Sequence, residues 1–348
     1  MAASTWPGNG SRALCPVDAA FAHRFLPAVY LTVIPLGLVG NGLGLWHLCT
    51  GLRQGTHQPL RLLVGNLGLA DLLYVSTLPF LVSYYWQSRV WLFGQGWCQV
   101  TRSLFHLNLY ASIGFLTCIS IHRYLGIVHP LKARGRCQGA TSSVWISVLV
   151  WAWVIAQVAP DLAFSKTDDM GRKCHDTTGH KDLGTYLPYT WAVTVTGFII
   201  PFLLIIGCYC HVVFVLCKNN TMDLELRTRS IRLVILVMVL FSICFLPYHI
   251  FRNLNLLFRL WHQQGYCTQV LKSTYVSYQV TRGLASLNSA LNPLIYVIAS
   301  KDCMSRITTI RQRARRCLKP TFSSQTSCQA DEKKGITILC KEEASDDL

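Results

Sequence analysis

Three arginines lie in three separate apolar segments, each with histidine, tyrosine or glutamine at helical spacing. Arg102, His106 and Tyr110 are four residues apart, so they share one face of a helix. The other two sets are His249 with Arg252, and Tyr275, Tyr278 and Gln279 with Arg282. A planar guanidinium suits phosphate and carboxylate oxygens, and tyrosine and histidine faces can hold an aromatic base. The pattern predicts a cavity for a multiply charged anion that carries a ring.

Few acidic residues are placed to neutralise these arginines. No acid within the apolar segments opposes them, and the nearest candidates are Asp161 and the acids of the following loop. In the alternative interpretation, the arginines point outward or pair with loop acids, namely Asp168, Asp169 or Asp176. A single arginine could do so, but three arginines on three helices favour a bound anion.

The composition indicates which solvent surrounds these segments. Of 348 residues, 51% are hydrophobic and 14% are charged, and the mean hydropathy is +0.34. A soluble domain carries nearer a quarter charged residues, so this chain needs a lipid environment. The net charge is +16, but the basic residues cluster in short linkers between apolar segments and after the last of them. That distribution is typical of membrane topology, and we expect no nucleic-acid polymer as a partner.

The chain contains seven segments long enough to cross a bilayer as helices. They cover about residues 25–49, 60–86, 97–128, 143–165, 185–217, 229–259 and 272–299. The predicted fold is an all-α membrane protein, a seven-transmembrane helix bundle over 25–299. Lysine and arginine fall mostly on one side, which we assign to the cytoplasm. Residues 1–24 are then extracellular, and Asn9 begins a usable glycosylation sequon.

The chain after the last span divides into two parts. Apolar residues recur at helical spacing among arginines over residues 300–318, which predicts a short amphipathic helix on the membrane surface. Cys317 in this helix is a candidate for palmitoylation, and an unmodified cysteine is the alternative. Residues 319–348 are polar and are predicted to form a disordered cytoplasmic tail.

One acidic residue, Asp71, lies deep inside a predicted span. A carboxylate within the membrane is costly, so it marks a functional site by default. The alternative is a protonated aspartic acid that has only a structural role.

Each span also carries a polar or proline motif. In chain order these are Gly40-Asn41, Asn66-Leu67 with Ala70-Asp71, His122-Arg123-Tyr124, Trp151 with Pro160, Pro201 with Tyr209, Phe241 with Phe245-Leu246-Pro247, and Asn292-Pro293-Leu294-Ile295-Tyr296. Each motif alone is weak, but all of them in this order resemble the rhodopsin-like G-protein-coupled receptor family over residues 25–317. Proline within a helix removes a hydrogen bond and introduces a kink, which can serve as a hinge.

The resemblance implies roles for several of these residues. It places an allosteric sodium ion at Asp71, Ser112, Asn288 and Asn292, with Ser289 nearby, and it implies no other cofactor. It assigns activation to Arg123, Tyr209, Phe245, Pro247, Asn292, Pro293 and Tyr296. The family usually has an acid before the arginine, whereas this chain has His122. Restraint of Arg123 by an ion pair is therefore in doubt, and raised basal activity is expected.

The resemblance also bears on four cysteines outside the spans or at their ends. The family joins the cysteines that match Cys98 and Cys174, and nucleotide and chemokine receptors often join a second pair that matches Cys15 and Cys267. Four cysteines allow three pairings. We favour 98–174 with 15–267, in an oxidising compartment.

The cavity residues resemble those of the G-protein-coupled purinergic receptors. The matching positions are Arg102, His106, Tyr110, His249-x-x-Arg252, Gln279-x-x-Arg282 and Cys174-His175-Asp176. Residues 278–284 and 247–250 look most like the ATP-preferring branch that couples to calcium and cyclic AMP. Asn292 departs from the aspartate common in many purinergic receptors. The resemblance implies a plasma-membrane receptor for an ATP-like nucleotide, with a heterotrimeric G protein, arrestin and receptor kinases as partners.

Other functions were weighed against this one. A receptor for a di- or tricarboxylate would share an arginine-lined pocket. A transporter or channel is disfavoured because the chain has an odd number of spans and no internal repeat. An enzyme is disfavoured because no nucleophile, base and acid lie together in one accessible place. A retinal protein is disfavoured because no lysine lies midway along the seventh span.

Overall fold

A computed structural model describes residues 20–53, 59–129, 140–168, 170–179, 181–218, 224–264 and 269–295. All of them belong to one compact unit, Met1–Ala299. The described residues form helices joined by short connections, and their only β-bridge lies in the loop after the fourth span. Asn9, Cys15, Cys267, Tyr296, Cys317, the predicted helix 300–318 and the tail 319–348 lie outside the described residues, so the predictions made for them stay predictions.

The helices group into seven spans. The first is α1 (Ala20–Arg53), the second is α2 (Pro59–Val75) with α3 (Leu78–Trp86), and the third is α4 (Gly94–Val128). The fourth is α5 (Ala140–Val158) with a 3₁₀ turn (Ala159–Ala163). The fifth is α6 (Leu183–Thr194), a π-helical turn (Val195–Ile199) and α7 (Ile200–Lys218). The sixth is α8 (Leu224–Leu240), a π-helical turn (Phe241–Phe245) and α9 (Leu246–Gln263), and the seventh is α10 (Gln269–Leu291).

The spans pack into a closed ring around the third. The first span contacts the second and the seventh, the sixth contacts the fifth and the seventh, and the third contacts the second, fourth and fifth. Helices satisfy their own backbone groups, which is why a chain can cross lipid in this form. Large apolar side chains such as Leu36, Trp46, Trp145, Leu203 and Phe214 are exposed on the outside, as expected for a lipid-facing surface.

The seventh span differs in character from the other six. Among the described residues, six helical segments are long and apolar enough to cross a membrane by length and composition, and α10 is not one of them. Its polar side chains, including Gln279, Arg282, Ser286, Asn288 and Ser289, are buried inside the bundle. The predicted span 272–299 is confirmed as a helix that begins at Gln269, and residues 296–299 lie outside the described part.

Polar contacts fix the spans to one another. Asn41 Nδ2 donates to the carbonyl of Ser289, 2.9 Å away, which joins the first and seventh spans. A Cβ atom on Gly40 would lie 2.5 Å from Pro293 Cγ, so only glycine allows the two helices to approach this closely. Trp151 Nε1 donates to Asn66 Oδ1 at 2.9 Å and joins the fourth span to the second. The motifs therefore lie where helices meet.

The loop after the fourth span forms a hairpin, here defined as residues 165–179. Thr167 and Cys174 form an antiparallel bridge, and the His175 amide donates to the Lys166 carbonyl at 2.6 Å. The turn contains Gly171, whose φ of +69° is readily adopted only by glycine. A disulfide from Cys98 to Cys174 ties the hairpin to the third span, as predicted. The hairpin therefore lies over the Cys98 end of the bundle.

Candidate functional site

Two of the three arginines converge on one loop carboxylate. Arg102 Nη1 lies 3.0 Å from Asp176 Oδ1, and Arg282 Nη1 forms an ion pair with Asp176 Oδ2. Gln279 Nε2 also donates to Asp176 Oδ2, at 3.1 Å. The alternative interpretation, in which the arginines pair with a loop acid, therefore holds for Arg102 and Arg282. The hairpin, held by its disulfide, inserts Asp176 between the third and seventh spans.

The two guanidiniums keep Asp176 ionised. Burial would raise the pKa of this carboxyl, but the positive charges of Arg282 and Arg102 outweigh it and hold the pKa well below its usual range. Arg282 is further held by the hydroxyls of Tyr30 and Tyr85, which accept from Nη2 at 2.8 and 2.6 Å. Arg102 Nη2 donates to the Cys174 carbonyl at 3.0 Å. The cluster is a preformed anion site in which a side chain of the protein supplies the anion.

Arg252 of the sixth span has a different environment. It is 1% exposed, and its Nη1 and Nη2 donate to the hydroxyls of Tyr110 and Tyr186 at 3.0 and 3.2 Å. Its Nε is buried without a partner. Within the described part of the chain, no carboxylate lies within ion-pair distance of this guanidinium. Arg252 is therefore a buried cation with neutral neighbours, a costly arrangement that an anionic ligand would relieve.

A second buried acid lies beside Arg252 without touching it. Asp161, at the end of the fourth span, is fully buried, and its Oδ1 accepts from Lys166 Nζ at 2.7 Å and from the Tyr186 hydroxyl at 2.9 Å. Its Oδ2 lies 3.1 Å from His106 Nδ1 and accepts a long hydrogen bond from Ser103. The carboxylate thus has partners on the hairpin, the third span and the fifth span.

Lys166 is a basic side chain of the hairpin that is buried against the bundle. Its ammonium also donates to the Thr177 carbonyl and lies 4.8 Å from the centre of the Tyr186 ring. Burial lowers the pKa of Lys166 to about 8, although the Asp161 charge opposes the shift. The lysine is therefore mostly protonated at neutral pH. The hairpin therefore forms ion pairs of both signs with the bundle. Its Lys166 pairs with Asp161, and its Asp176 pairs with Arg102 and Arg282.

Aromatic rings line the same region. The His249 ring stacks on Phe198 with centroids 4.4 Å apart and lies 5.8 Å from Tyr110. Tyr248 lies 6.2 Å from Tyr278, and both are buried. Both nitrogens of His249 are buried, and within the described ranges neither has a hydrogen-bond partner, so they are available to a ligand. Such rings, with polar edges, suit a flat heterocycle.

The structure thus brings most of the predicted site residues together. Arg102, Gln279 and Arg282 meet at Asp176, whereas Tyr110 and Arg252 contact each other. His106 faces Asp161, and His249 and Tyr278 line the aromatic region. Tyr275 is only half-buried.

The sequence analysis missed Lys166, Tyr186, Tyr30 and Tyr85 as parts of this site. For Lys166 a signal was present. Asp161 lies inside the predicted fourth span, and a buried carboxylate requires a cation. The two tyrosines near Arg282 carry no such signal, because their approach depends on how the first and second spans pack.

Asp71 lies at the centre of a second polar cluster, midway along the bundle. Its two oxygens accept from Asn108 Nδ2 at 2.8 Å and from Asn292 Nδ2 at 2.9 Å, and Ser289 Oγ donates to Asn108. Three oxygens predicted to bind sodium, Ser112 Oγ, Asn288 Oδ1 and Asn292 Oδ1, are buried and have no partner within the described part of the chain. One of them belongs to Asn292, which contacts Asp71, and a carboxylate beside an unpartnered oxygen suits a hard cation such as sodium.

The Arg123 end of the bundle contains the residues predicted to act in activation. Tyr209 and Ser120 share a 2.5 Å hydrogen bond between the fifth and third spans. Both ring nitrogens of His122 are buried and have no partner among the described residues. Phe245 packs edge-on against Phe241, with centroids 5.1 Å apart, in the π-helical turn before Pro247. The helix changes register at a residue to which the sequence analysis assigns a role in activation.

Comparison with known proteins gives matches over nearly the whole chain. Residues 40–296 match the model of the 7 transmembrane receptor (rhodopsin family). Purinoceptor 1 of Meleagris gallopavo is 40% identical over 322 residues, which cover 92% of this chain and 88% of that protein. Purinoceptor 1 of Homo sapiens is 38% identical over 327 residues, covering 93% and 87%. Purinoceptor 4 of Xenopus laevis is 38% identical over 322 residues, covering 89% and 59%.

Proposed function

The chain belongs to the rhodopsin family of seven-transmembrane receptors, and we propose that its ligand is an extracellular, ATP-like nucleotide. As a member of this family it is a receptor and not an enzyme. We place it in the plasma membrane with the Cys98 end and the N-terminus outside. The signal would pass to a heterotrimeric G protein at the Arg123 end, raising calcium and cyclic AMP. Arrestin and receptor kinases would bind at the same end.

The observation that carries this proposal is the environment of Arg252. Arg252 is 1% exposed, and among the described residues its guanidinium contacts tyrosine hydroxyls and an aromatic ring but no carboxylate. A charge buried in this way is stabilised when a phosphate enters, because charge-assisted hydrogen bonds are strong in a low dielectric. The purinoceptor name of the relatives supports phosphate carried on a nucleotide.

The second anion site explains how the ligand is sensed. Arg102 and Arg282 already bind the carboxylate of Asp176. A polyphosphate that reaches from Arg252 towards these arginines competes with Asp176 for their hydrogen bonds. When the ligand replaces that carboxylate, the hairpin is released from the third and seventh spans. The ligand therefore binds the arrangement with Asp176 displaced more tightly than the arrangement with Asp176 paired, and it shifts the bundle towards the former. The base would then rest against His249 and Tyr278.

We also propose that sodium binds at Asp71 and favours the inactive arrangement. The support is the contact of Asn292 with that carboxylate, together with the oxygens of Ser112, Asn288 and Asn292, which are buried and unpartnered among the described residues. Agonist and sodium then oppose one another by linkage.

Calcium and cyclic AMP recorded from transfected cells would test the ligand. The panel contains nucleoside tri-, di- and monophosphates with dicarboxylates and tricarboxylates. We expect the receptor to respond to a nucleotide. Arg252→Ala should lower the potency of that nucleotide at least about tenfold, which corresponds to about 1.4 kcal/mol. Arg252→Lys should restore part of the loss, because it keeps the charge and loses the planar fork.

Arg24→Ala is the matched control, because it removes the same charge from an exposed position at the same end of the bundle. Surface receptor must be counted for every variant. Normal potency in Arg252→Ala at normal surface level contradicts the anion pocket. A response to dicarboxylates alone keeps the pocket but replaces the nucleotide by a small acid.

A further inference from the structure

Lys166 and Asp161 form a buried pair that the proposed ligand contacts leave unexplained. Both residues are 0% exposed, and Nζ lies 2.7 Å from Oδ1. Burying such a pair stabilises a protein little compared with apolar residues, so its presence beside a binding pocket calls for a function. The pair lies where the hairpin meets the fourth span, and a single side chain separates it from Arg252.

The hydroxyl of Tyr186 is the link between this pair and the proposed phosphate site. It donates to Asp161 at 2.9 Å and accepts from Arg252 at 3.2 Å. Asp161 and Arg252 are thus the two ends of one short chain of hydrogen bonds. If Asp161 carried an unbalanced charge, it would attract the Arg252 guanidinium one hydroxyl away, and the attraction would be strong in this low-dielectric region.

We propose that Lys166 sets the affinity for multiply charged anions without touching them, by neutralising Asp161 so that the charge of Arg252 remains available to the ligand. This inference rests on the proposed function. Lys166 is a positioning and specificity-determining residue. Four buried basic side chains, Arg102, Arg252, Arg282 and Lys166, face the buried Asp161 and the partly buried Asp176, and each acid has a partner other than Arg252.

The same arrangement orients a second ligand-facing group. Asp161 Oδ2 lies 3.1 Å from His106 Nδ1, and His106 Nε2 lies 3.4 Å from the Tyr248 hydroxyl. His106 therefore belongs to the same hydrogen-bonded network as Asp161, so the charge that Lys166 neutralises also bears on the position of this ring.

The test replaces Lys166 by methionine, which keeps the length of the side chain and removes its charge. We expect Lys166→Met to lower potency for a nucleoside triphosphate by about tenfold and for the monophosphate by much less, because a charge effect grows with the charge of the ligand. The double variant Lys166→Met/Asp161→Asn removes both charges and should restore potency to near that of the wild type. If Lys166 had only a structural role, the variant would lower the potencies of the tri-, di- and monophosphate by the same factor.

Lys173→Met is the matched control. Lys173 lies in the same hairpin, is exposed, and loses the same charge. Its potencies should not change. Radioligand binding to membranes, at equal surface receptor, separates affinity from coupling to the G protein.

Each outcome decides the proposal. An unchanged triphosphate potency in Lys166→Met overturns it, and so does a loss that the double variant fails to restore. If Lys166→Met does not reach the surface, the double variant decides alone. Wild-type-like potency then supports the proposal, whereas reduced potency or failure to reach the surface overturns it. Arg252→Ala, assayed in parallel, separates the proposed function from the proposed role of Lys166. If Arg252→Ala loses potency and Lys166→Met does not, only the role of the lysine is rejected.

Discussion

Arg102 of the third span and Asp176 of the hairpin form an ion pair of 3.0 Å that is largely shielded from solvent. The same carboxylate pairs with Arg282 of the seventh span. One loop side chain therefore bridges two helices that are distant in sequence. Any anion that binds these arginines must share them with Asp176 or displace it.

Removing the bridging carboxylate should destabilise the empty receptor and strengthen the effect of the ligand. In Asp176→Asn two buried arginines lose their anion, which costs about 3 to 5 kcal/mol when a buried pair is broken. A polyphosphate then replaces the missing charge. In a thermal denaturation assay, we expect a lower melting temperature without ligand and a larger upward shift with nucleotide than in the wild type.

The destabilisation by Asp176→Asn should persist from about pH 7.5 to about pH 5.5. Because the folded-state pKa of Asp176 lies below its unfolded value, the stabilisation is present above the unfolded pKa and is lost only as the pH falls through the folded one. His175 beside it stays neutral in this range, since burial and the charge of Arg259 lower its pKa to about 4. A difference between wild type and variant that disappears at the acidic end of this range would contradict the assignment.

Breaking the disulfide should abolish ligand binding. Cys98→Ser frees the hairpin that carries Cys174, Lys166 and Asp176, and loss of a native disulfide costs about 2 to 5 kcal/mol. We expect little surface receptor and no specific binding, and treatment of wild-type cells with a reducing agent should have a similar effect. Cys118→Ser, a free cysteine in the same span, is the control. Normal signalling by Cys98→Ser would show that the hairpin holds its place without the bond.

Sodium should lower agonist affinity through Asp71. The Asp71→Asn variant removes the charge that the ion requires and has nearly the same shape, but it keeps only one of the two oxygens that accept from Asn108 and Asn292. Agonist competition curves are measured in sodium chloride and in choline chloride at equal ionic strength. The wild type should bind agonist more weakly in sodium, and the variant should bind equally in both salts. Equal sodium sensitivity in the two proteins would reject the site.

An acid in place of His122 should lower activity in the absence of agonist. Both ring nitrogens of His122 are buried without a partner among the described residues, and a histidine has no negative charge with which to restrain Arg123. His122→Asp supplies that restraint at the edge of the bundle, worth on the order of 1 kcal/mol, between exposed and buried pairs. The active fraction should fall several-fold if it starts small.

Basal second-messenger output per surface receptor measures this effect, with apyrase present to remove released nucleotide. His129→Asp, the same substitution at an exposed position at the end of the span, is the control. Unchanged or raised basal output in His122→Asp would mean that Arg123 is restrained from elsewhere.

The sequence alone predicts the seven spans, the burial of Asp71, and the helix faces that carry Arg102, Arg252 and Arg282. These properties are local, because hydropathy and the helical period of about 3.6 residues determine where a helix crosses lipid and which side chains share a face. The seventh span was found in this way even though its inward face is polar.

The tertiary structure decides which charges meet. The motif Cys174-His175-Asp176 sets Asp176 apart from Asp168 but does not reveal its partners. Asp176 lies between two arginines, whereas Asp168 lies at the hairpin turn, where its Oδ1 accepts from the Lys173 amide. Likewise, only the fold places Lys166 on Asp161 and leaves Arg252 with tyrosine hydroxyls. The physical reason is that electrostatic energy in a low dielectric depends on separations of a few ångströms, and these are determined by how the disulfide-bound hairpin packs on the bundle.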